Sequence, residues 1–136
     1  MQKILLAEDE EHILDAIKLN LELEGFLVSG CKNGSEAISL AKKQLFDLVI
    51  LDVMLPGTDG FEACLQIKQF QPETPVLFLT ALSDSQNRIK GLKLADDYLS
   101  KPFNLEELIL RVKNLIKRTS QEAQPTVFSF DKFEIN

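Results

Sequence analysis

Two kinds of apolar pattern alternate along this chain. Uninterrupted runs occur at Ile4-Leu5-Leu6-Ala7, Leu48-Val49-Ile50-Leu51 and Val76-Leu77-Phe78-Leu79. Short apolar runs bounded by turn signals read as parallel strands buried on both faces. Phe26 to Gly30 and a short stretch from Tyr98 to Ser100 read as two further strands. Between the strands the apolar positions recur at helical spacing. A first helix carries Ile13, Ala16, Ile17 and Leu21 and is ended by Gly25, as glycine does past a helix C-cap. A second, Ser35 to Lys43, turns Ala37, Ile38 and Ala41 inward, and a third carries Phe61, Cys64 and Leu65, with Pro72 beyond its end. A fourth spans about Asp84 to Leu94 with the least regular face: Ile89 and Leu92 are apolar, Gln86 and Lys90 polar. The last shows the stripe Leu105, Leu108, Ile109, Val112, Leu115 and Ile116. Five strand–helix alternations predict an α/β fold, a parallel sheet with helices on both faces and right-handed crossovers.

Polar residues stand where four strands end. They are Glu8-Asp9, Asp52, Thr80 and Lys101-Pro102. Ligands of an open parallel sheet bind outside the carboxyl ends of its strands. Three carboxylates, a hydroxyl and an ammonium therefore meet at one edge, a set suited to a divalent metal and a phosphoryl group. A carboxylate at an exposed strand end, Asp52, can act as nucleophile and form an acyl phosphate. Mg²⁺, or Mn²⁺ in its place, takes oxygen ligands and keeps several waters. Asp9 and Asp52 can bind it directly, Glu8 through water, and Met54 by its backbone carbonyl. Lys101 would balance charge growing on the phosphoryl oxygens, and Thr80 would hydrogen-bond one of them. Taken singly, each is an ordinary cap or turn residue; the ordered set carries the reading. His12 reads as an exposed residue of the first helix.

Bulk properties narrow the class. The 136 residues suit one ordinary domain, and 45% hydrophobic with 26% charged residues is usual for a globular chain. A net charge of −6 does not draw a protein to nucleic acid non-specifically. With neither a signal peptide nor an apolar stretch near the roughly 20 residues that span a bilayer, the expected place is the cytoplasm, away from membranes. Cys31 and Cys64 lack metal-ligand spacing and read as reduced core residues. Residues 119–126, which include Pro125, lack periodicity and read as a linker. Val127 to Ile135 alternates apolar and polar residues like two short strands, so 127–136 reads as the truncated start of a second domain. Two rivals fail on particular residues. A phosphatase with an aspartyl nucleophile would usually carry an acid two positions on, where Met54 stands. A nucleotide cradle needs glycines where Glu8-Asp9-Glu10-Glu11 lies. A stand-alone adaptor is disfavoured by the tail beyond Pro125.

Over residues 1–118 the chain resembles the receiver domain of two-component response regulators. The resemblance rests on Glu8-Asp9, on Leu51-Asp52-Val53-Met54-Leu55-Pro56-Gly57-Thr58-Asp59-Gly60, on Thr80-Ala81, and on Ala95-Asp96-Asp97-Tyr98-Leu99-Ser100-Lys101-Pro102-Phe103. It implies a flavodoxin-like (CheY-like) doubly wound sheet of order 2-1-3-4-5 and a cis Lys101–Pro102 bond. It implies a switch, not a metabolic enzyme: Asp52 takes a phosphoryl group from a sensor histidine kinase, slow autodephosphorylation follows, Thr80 moves and Tyr98 turns inward. The subgroup it most resembles is the OmpR/PhoB-type transcription factors. That implies a homodimer through the fourth helix, the fifth strand and the last helix. Charged pairs would be Asp97 with Arg111, Asp96 with Arg118 and Arg88 with Glu107, with Ile89 and Leu110 as apolar contacts. DNA would be bound by a winged-helix domain beginning at about Val127. Glu8 departs from the commoner Asp, Leu94 from a common Gly, and Leu82 from a common charged residue.

Overall fold

The computed structural model describes residues 1–81 and 96–123, the last five by backbone only. The expected helix over Asp84 to Leu94, with Arg88 and Ile89, and the expected strands from Val127 lie outside the described residues. Five strands are described: β1 (Lys3–Ala7), β2 (Leu27–Cys31), β3 (Leu48–Asp52), β4 (Val76–Thr80) and β5 (Asp97–Ser100). With them run α1 (Glu11–Leu23), α2 (Gly34–Lys43), α3 (Gly60–Phe70) and a C-terminal α4 (Leu105–Ala123). All four strand pairings are parallel, in the order β2-β1-β3-β4-β5, as the resemblance implies.

Alternate residues of each central strand feed opposite core layers. Leu5, Val49, Leu51 and Phe78 pack with Ala37, Ile38, Phe61 and Ile67 of α2 and α3. Ile4, Leu6, Ile50, Leu77 and Leu79 pack with Ile17 and Leu21 of α1 and with Leu108, Val112 and Ile116 of α4. This two-sided burial is why β1, β3 and β4 read as unbroken apolar runs. At the edge, β2 pairs with β1 alone and leaves Leu27 exposed. Cys31 and Cys64 are buried and in no disulfide, and burial pushes each thiol up to about 11.

Local chemistry sets the element ends. Asn33 and Asp59 cap α2 and α3, accepting from the Glu36 and Glu62 N–H at 2.8 and 2.9 Å. Gly25 ends α1 at φ +97°, a conformation that favours glycine. Three details differ from the sequence reading. Leu65 is exposed, and the inner face of α3 is Phe61, Ala63, Cys64 and Ile67. Leu14 is buried on α1, whereas Ile13 and Ala16 are half-buried. The last helix runs to Ala123, past the expected start of the linker at Thr119, because Gln121, Glu122 and Ala123 are good helix formers.

At the amino edge of the sheet a buried polar knot joins three elements. Gln71 Nε2 donates to the carbonyls of Ala41 and Gln44 at 2.8 and 2.7 Å, and its Oε1 accepts from the Phe46 N–H at 2.9 Å. The Thr74 hydroxyl lies 3.0 Å from Gln71 Oε1 and 3.1 Å from the Phe46 carbonyl. Asp96 adds a clasp near the start of β4, accepting from the Val76 N–H at 2.8 Å and from Lys68 Nζ at 3.2 Å.

Candidate phosphoryl and metal site

Parallel register delivers the expected residues to one edge. Ala7 pairs with Leu51, and Asp52 with Leu79, so Glu8, Asp52 and Thr80 leave adjacent strands at nearly the same height. Lys101 extends the ladder by one step, donating its N–H to the Thr80 carbonyl at 2.7 Å, just before the cis Lys101–Pro102 bond. The Lys101 ammonium then lies 2.7 Å from Asp52 Oδ2, 2.9 Å from Glu8 Oε1 and 3.7 Å from Glu10 Oε1. Glu10 has no part in the site as the sequence presents it. It follows Glu8-Asp9 in the acidic run Glu8-Asp9-Glu10-Glu11.

Glu8 and, against the expectation of an exposed nucleophile, Asp52 are almost fully buried, whereas Asp9 is exposed. Asp52 Oδ1 accepts from the Met54 N–H at 2.9 Å, which ties the nucleophile candidate to the loop after β3. Glu8 Oε2 accepts from the Glu10 N–H at 3.0 Å. Its Oε1 has an ion pair with Lys101 but no aligned hydrogen bond. Burial pushes the Glu8 carboxyl up to about 7, against the pull of the Glu10 N–H and the Lys101 ammonium, and the nearby Asp52 charge adds to the rise. Burial also works against the charge of Lys101, yet its bonds to Asp52 and Glu8 prevail and hold it above the usual lysine range.

Glu8, Asp9 and Asp52 each offer a carboxylate oxygen, and these oxygens lie within 4.8 Å of one another. A buried Oε1 without an aligned donor, beside two further hard oxygens, fits a divalent cation. Thr80 is fully buried, and Tyr98 packs half-buried on the α2–α3 core layer that also holds Phe78, its register partner. His12 is exposed on α1, as expected.

The charges read as dimer contacts find partners inside the chain. Arg111 pairs with Asp97 at 2.7 Å and with Glu107 at 2.9 Å, and Arg118 lies 3.9 Å from Asp96. The cause is adjacency, since β5 and α4 are in contact. Leu110 remains exposed on α4.

Fold and edge chemistry thus define a doubly wound α/β domain that gathers three carboxylates, a hydroxyl and an ammonium at one sheet edge. Residues 4–113 match the response regulator receiver domain, and the chain belongs to that family. Receiver domains are signalling switches rather than metabolic enzymes. The chain is 42% identical over 120 residues to the transcriptional regulatory protein ResD of Bacillus subtilis, a match covering 88% of this chain and 50% of ResD. It is 41% identical over 137 residues to the transcriptional regulatory protein CreB of Escherichia coli, covering 99% of this chain and 60% of CreB. The chain therefore spans about half to three fifths of the length of the curated relatives it matches. Among solved structures, the response regulator TrrA of Thermotoga maritima in complex with Mg²⁺ and beryllofluoride is 35% identical. It superposes with a TM-score of 0.77, covering 85% of this chain and 99% of TrrA. Among the described residues no helix is long and apolar enough to cross a membrane.

Proposed function

We propose that this receiver domain accepts a phosphoryl group on Asp52 from a sensor histidine kinase and thereby controls transcription through a DNA-binding domain of the full-length protein. The observation that carries the reading is the convergence on Asp52. A nearly buried carboxylate sits at a strand end, 2.7 Å from the Lys101 ammonium and within 4.8 Å of the oxygens of Glu8 and Asp9. Mg²⁺, or Mn²⁺, would be held by Asp9, Asp52, the Met54 carbonyl and, through water, Glu8; TrrA, with Mg²⁺ and beryllofluoride bound, supports that choice. When bound it supplies positive charge beside the phosphoryl oxygens.

The chain's own groups do the rest. An Asp52 carboxylate oxygen attacks the phosphorus of a phosphohistidine. A new O–P bond forms, the P–N bond breaks, and the imidazole leaves with the bonding pair. Lys101, already paired with Asp52, balances the charge that moves onto the phosphoryl oxygens. The Met54 N–H on Oδ1 holds the carboxylate in orientation. Thr80 then donates to a phosphoryl oxygen, and Tyr98 turns inward behind it. Those movements remodel the face that includes β5 and α4, a local charge event biasing a two-state element. The output is a homodimer using Asp96, Asp97, Glu107, Leu110, Arg111 and Arg118, together with Arg88 and Ile89. It brings two DNA-binding domains onto paired half-sites. Water returns the domain to its resting state by slow hydrolysis of the acyl phosphate.

Acetyl phosphate with Mg²⁺ should add one phosphoryl group to the wild-type chain by intact mass. The Asp52→Asn variant should gain none. Equal phosphorylation of both would overturn the assignment of Asp52.

A further inference from the structure

We infer that α2, on which none of the site residues lies, positions the metal-binding loop through a backbone contact that only glycine at position 34 permits. The inference rests on the metal reading above. The loop from Val53 to Asp59 leaves β3 at Asp52, carries Met54, and enters α3 at Gly60. Its returning limb lies on the nucleophile's own backbone. Gly60 donates its N–H to the Val53 carbonyl at 3.0 Å, and a Cβ on Gly60 would stand 2.3 Å from the Asp52 carbonyl oxygen.

A second contact comes from outside the loop. A Cβ on Gly34, the first residue of α2, would stand 2.1 Å from the Thr58 carbonyl oxygen and 3.0 Å from Thr58 Cβ. Real Cβ atoms essentially never come closer than 3.0 Å. Gly34 does not have a left-handed φ, so space rather than torsion demands glycine there. The opposing atom is a backbone oxygen and cannot swing aside like the tip of a side chain.

A methyl at position 34 must therefore displace either α2 or the loop. The helix is the better anchored of the two. Asn33 caps its amino end, and Ala37, Ile38 and Ala41 are buried in the core beneath it. The loop is held at Val53 and Leu55, buried in that same core, but its far limb, with exposed Pro56, Gly57 at φ +72° and half-buried Thr58, is not. The loop yields, and its movement carries away the Met54 N–H that orients Asp52 and the Met54 carbonyl that would face the cation. Gly34 is thus a positioning residue for the site, acting from the neighbouring helix.

The test compares Gly34→Ala with wild type and with Gly30→Ala, whose added Cβ would meet the flexible Leu14 side chain from 3.2 Å. Each protein is titrated with Mg²⁺ while backbone amide resonances are followed, and melting temperatures are recorded beside them. Gly34→Ala should bind Mg²⁺ about tenfold more weakly, the range seen when outer contacts of metal ligands are lost. Its Met54 and Thr58 amides should be displaced before any Mg²⁺ is added. Gly30→Ala should keep wild-type affinity even if its melting temperature falls. In the wild type, Mg²⁺ with beryllofluoride should move the Gly34 amide resonance, a measurement that needs no folded variant. Wild-type Mg²⁺ affinity in Gly34→Ala overturns the inference. So does a wild-type Gly34 amide indifferent to Mg²⁺ and beryllofluoride, should the variant not fold. A wild type that binds no Mg²⁺ overturns the metal reading itself and this inference with it.

Discussion

Glu8 is the residue with the most opposed demands. It is fully buried, shares one ammonium with Asp52, and has a carboxyl pushed from 4.5 to about 7. The folded chain therefore holds the Glu8 proton more tightly than the unfolded chain does. Its contribution to stability is full below pH 4.5 and is lost as pH rises through about 7. A shift of this size amounts to about 3 kcal/mol. Urea unfolding in the absence of divalent ions should show that loss between acid and neutral pH in wild type. Glu8→Gln should be flatter over the same range, so that the difference between the two curves isolates the residue. Parallel curves would mean that Glu8 ionises normally. Mg²⁺ affinity should rise with pH over the same interval, because a carboxyl that holds the cation through water must also shed its proton.

Among the elements, the sheet's two ends treat polar groups differently. At the amino edge the Gln71 knot uses all four side-chain positions to satisfy α2, the segment before β3, and Thr74. Gln71→Ala would strand a buried N–H and two carbonyls. It should cost about 3 kcal/mol by urea unfolding, since lost partners of buried groups cost roughly 1–3 kcal/mol each and the chain relaxes in part. A loss under about 1 kcal/mol would mean that water replaces the amide. This knot was not legible in the sequence. Glutamine is normally exposed, and nothing near Gln71 announces that three elements close around it. Strands β1, β3 and β4 were legible for the opposite reason, since burial on both faces leaves almost no polar position to confuse the pattern. Leu65 misled because an apolar residue on a helix is not obliged to face the core. At the carboxyl edge the gathering of Glu8, Asp9, Asp52 and Lys101 was legible, for strand ends and parallel order suffice. The approach of Glu10 to Lys101 and the full burial of Glu8 were not, because spacing along a chain fixes an edge but not a distance.

For the whole molecule, the face containing β5 and α4 must exchange partners to dimerise as proposed. Arg111 is engaged by Asp97 and Glu107 of its own chain, so each pair formed across a dimer replaces one already made. Partly exposed pairs are individually weak, and the exchange by itself supplies little net drive. The expected solution mass is therefore that of a monomer with Mg²⁺ alone and of a dimer with Mg²⁺ and beryllofluoride, with Asp52→Asn monomeric in both. An unchanged mass despite bound beryllofluoride would remove the dimer and leave the phosphoryl chemistry standing. A last consequence follows from Lys101, whose ammonium stands among Glu8, Glu10 and Asp52. The chain carries its own resident counter-ion, so an ion-poor solution does not leave bare acids to prise the sheet edge apart. A divalent ion held as proposed would join a cation already in place beside Asp52. Small metal-dependent domains, by contrast, unfold when chelated. Here, on the proposed metal reading, chelation should empty the site and leave the sheet beneath it folded.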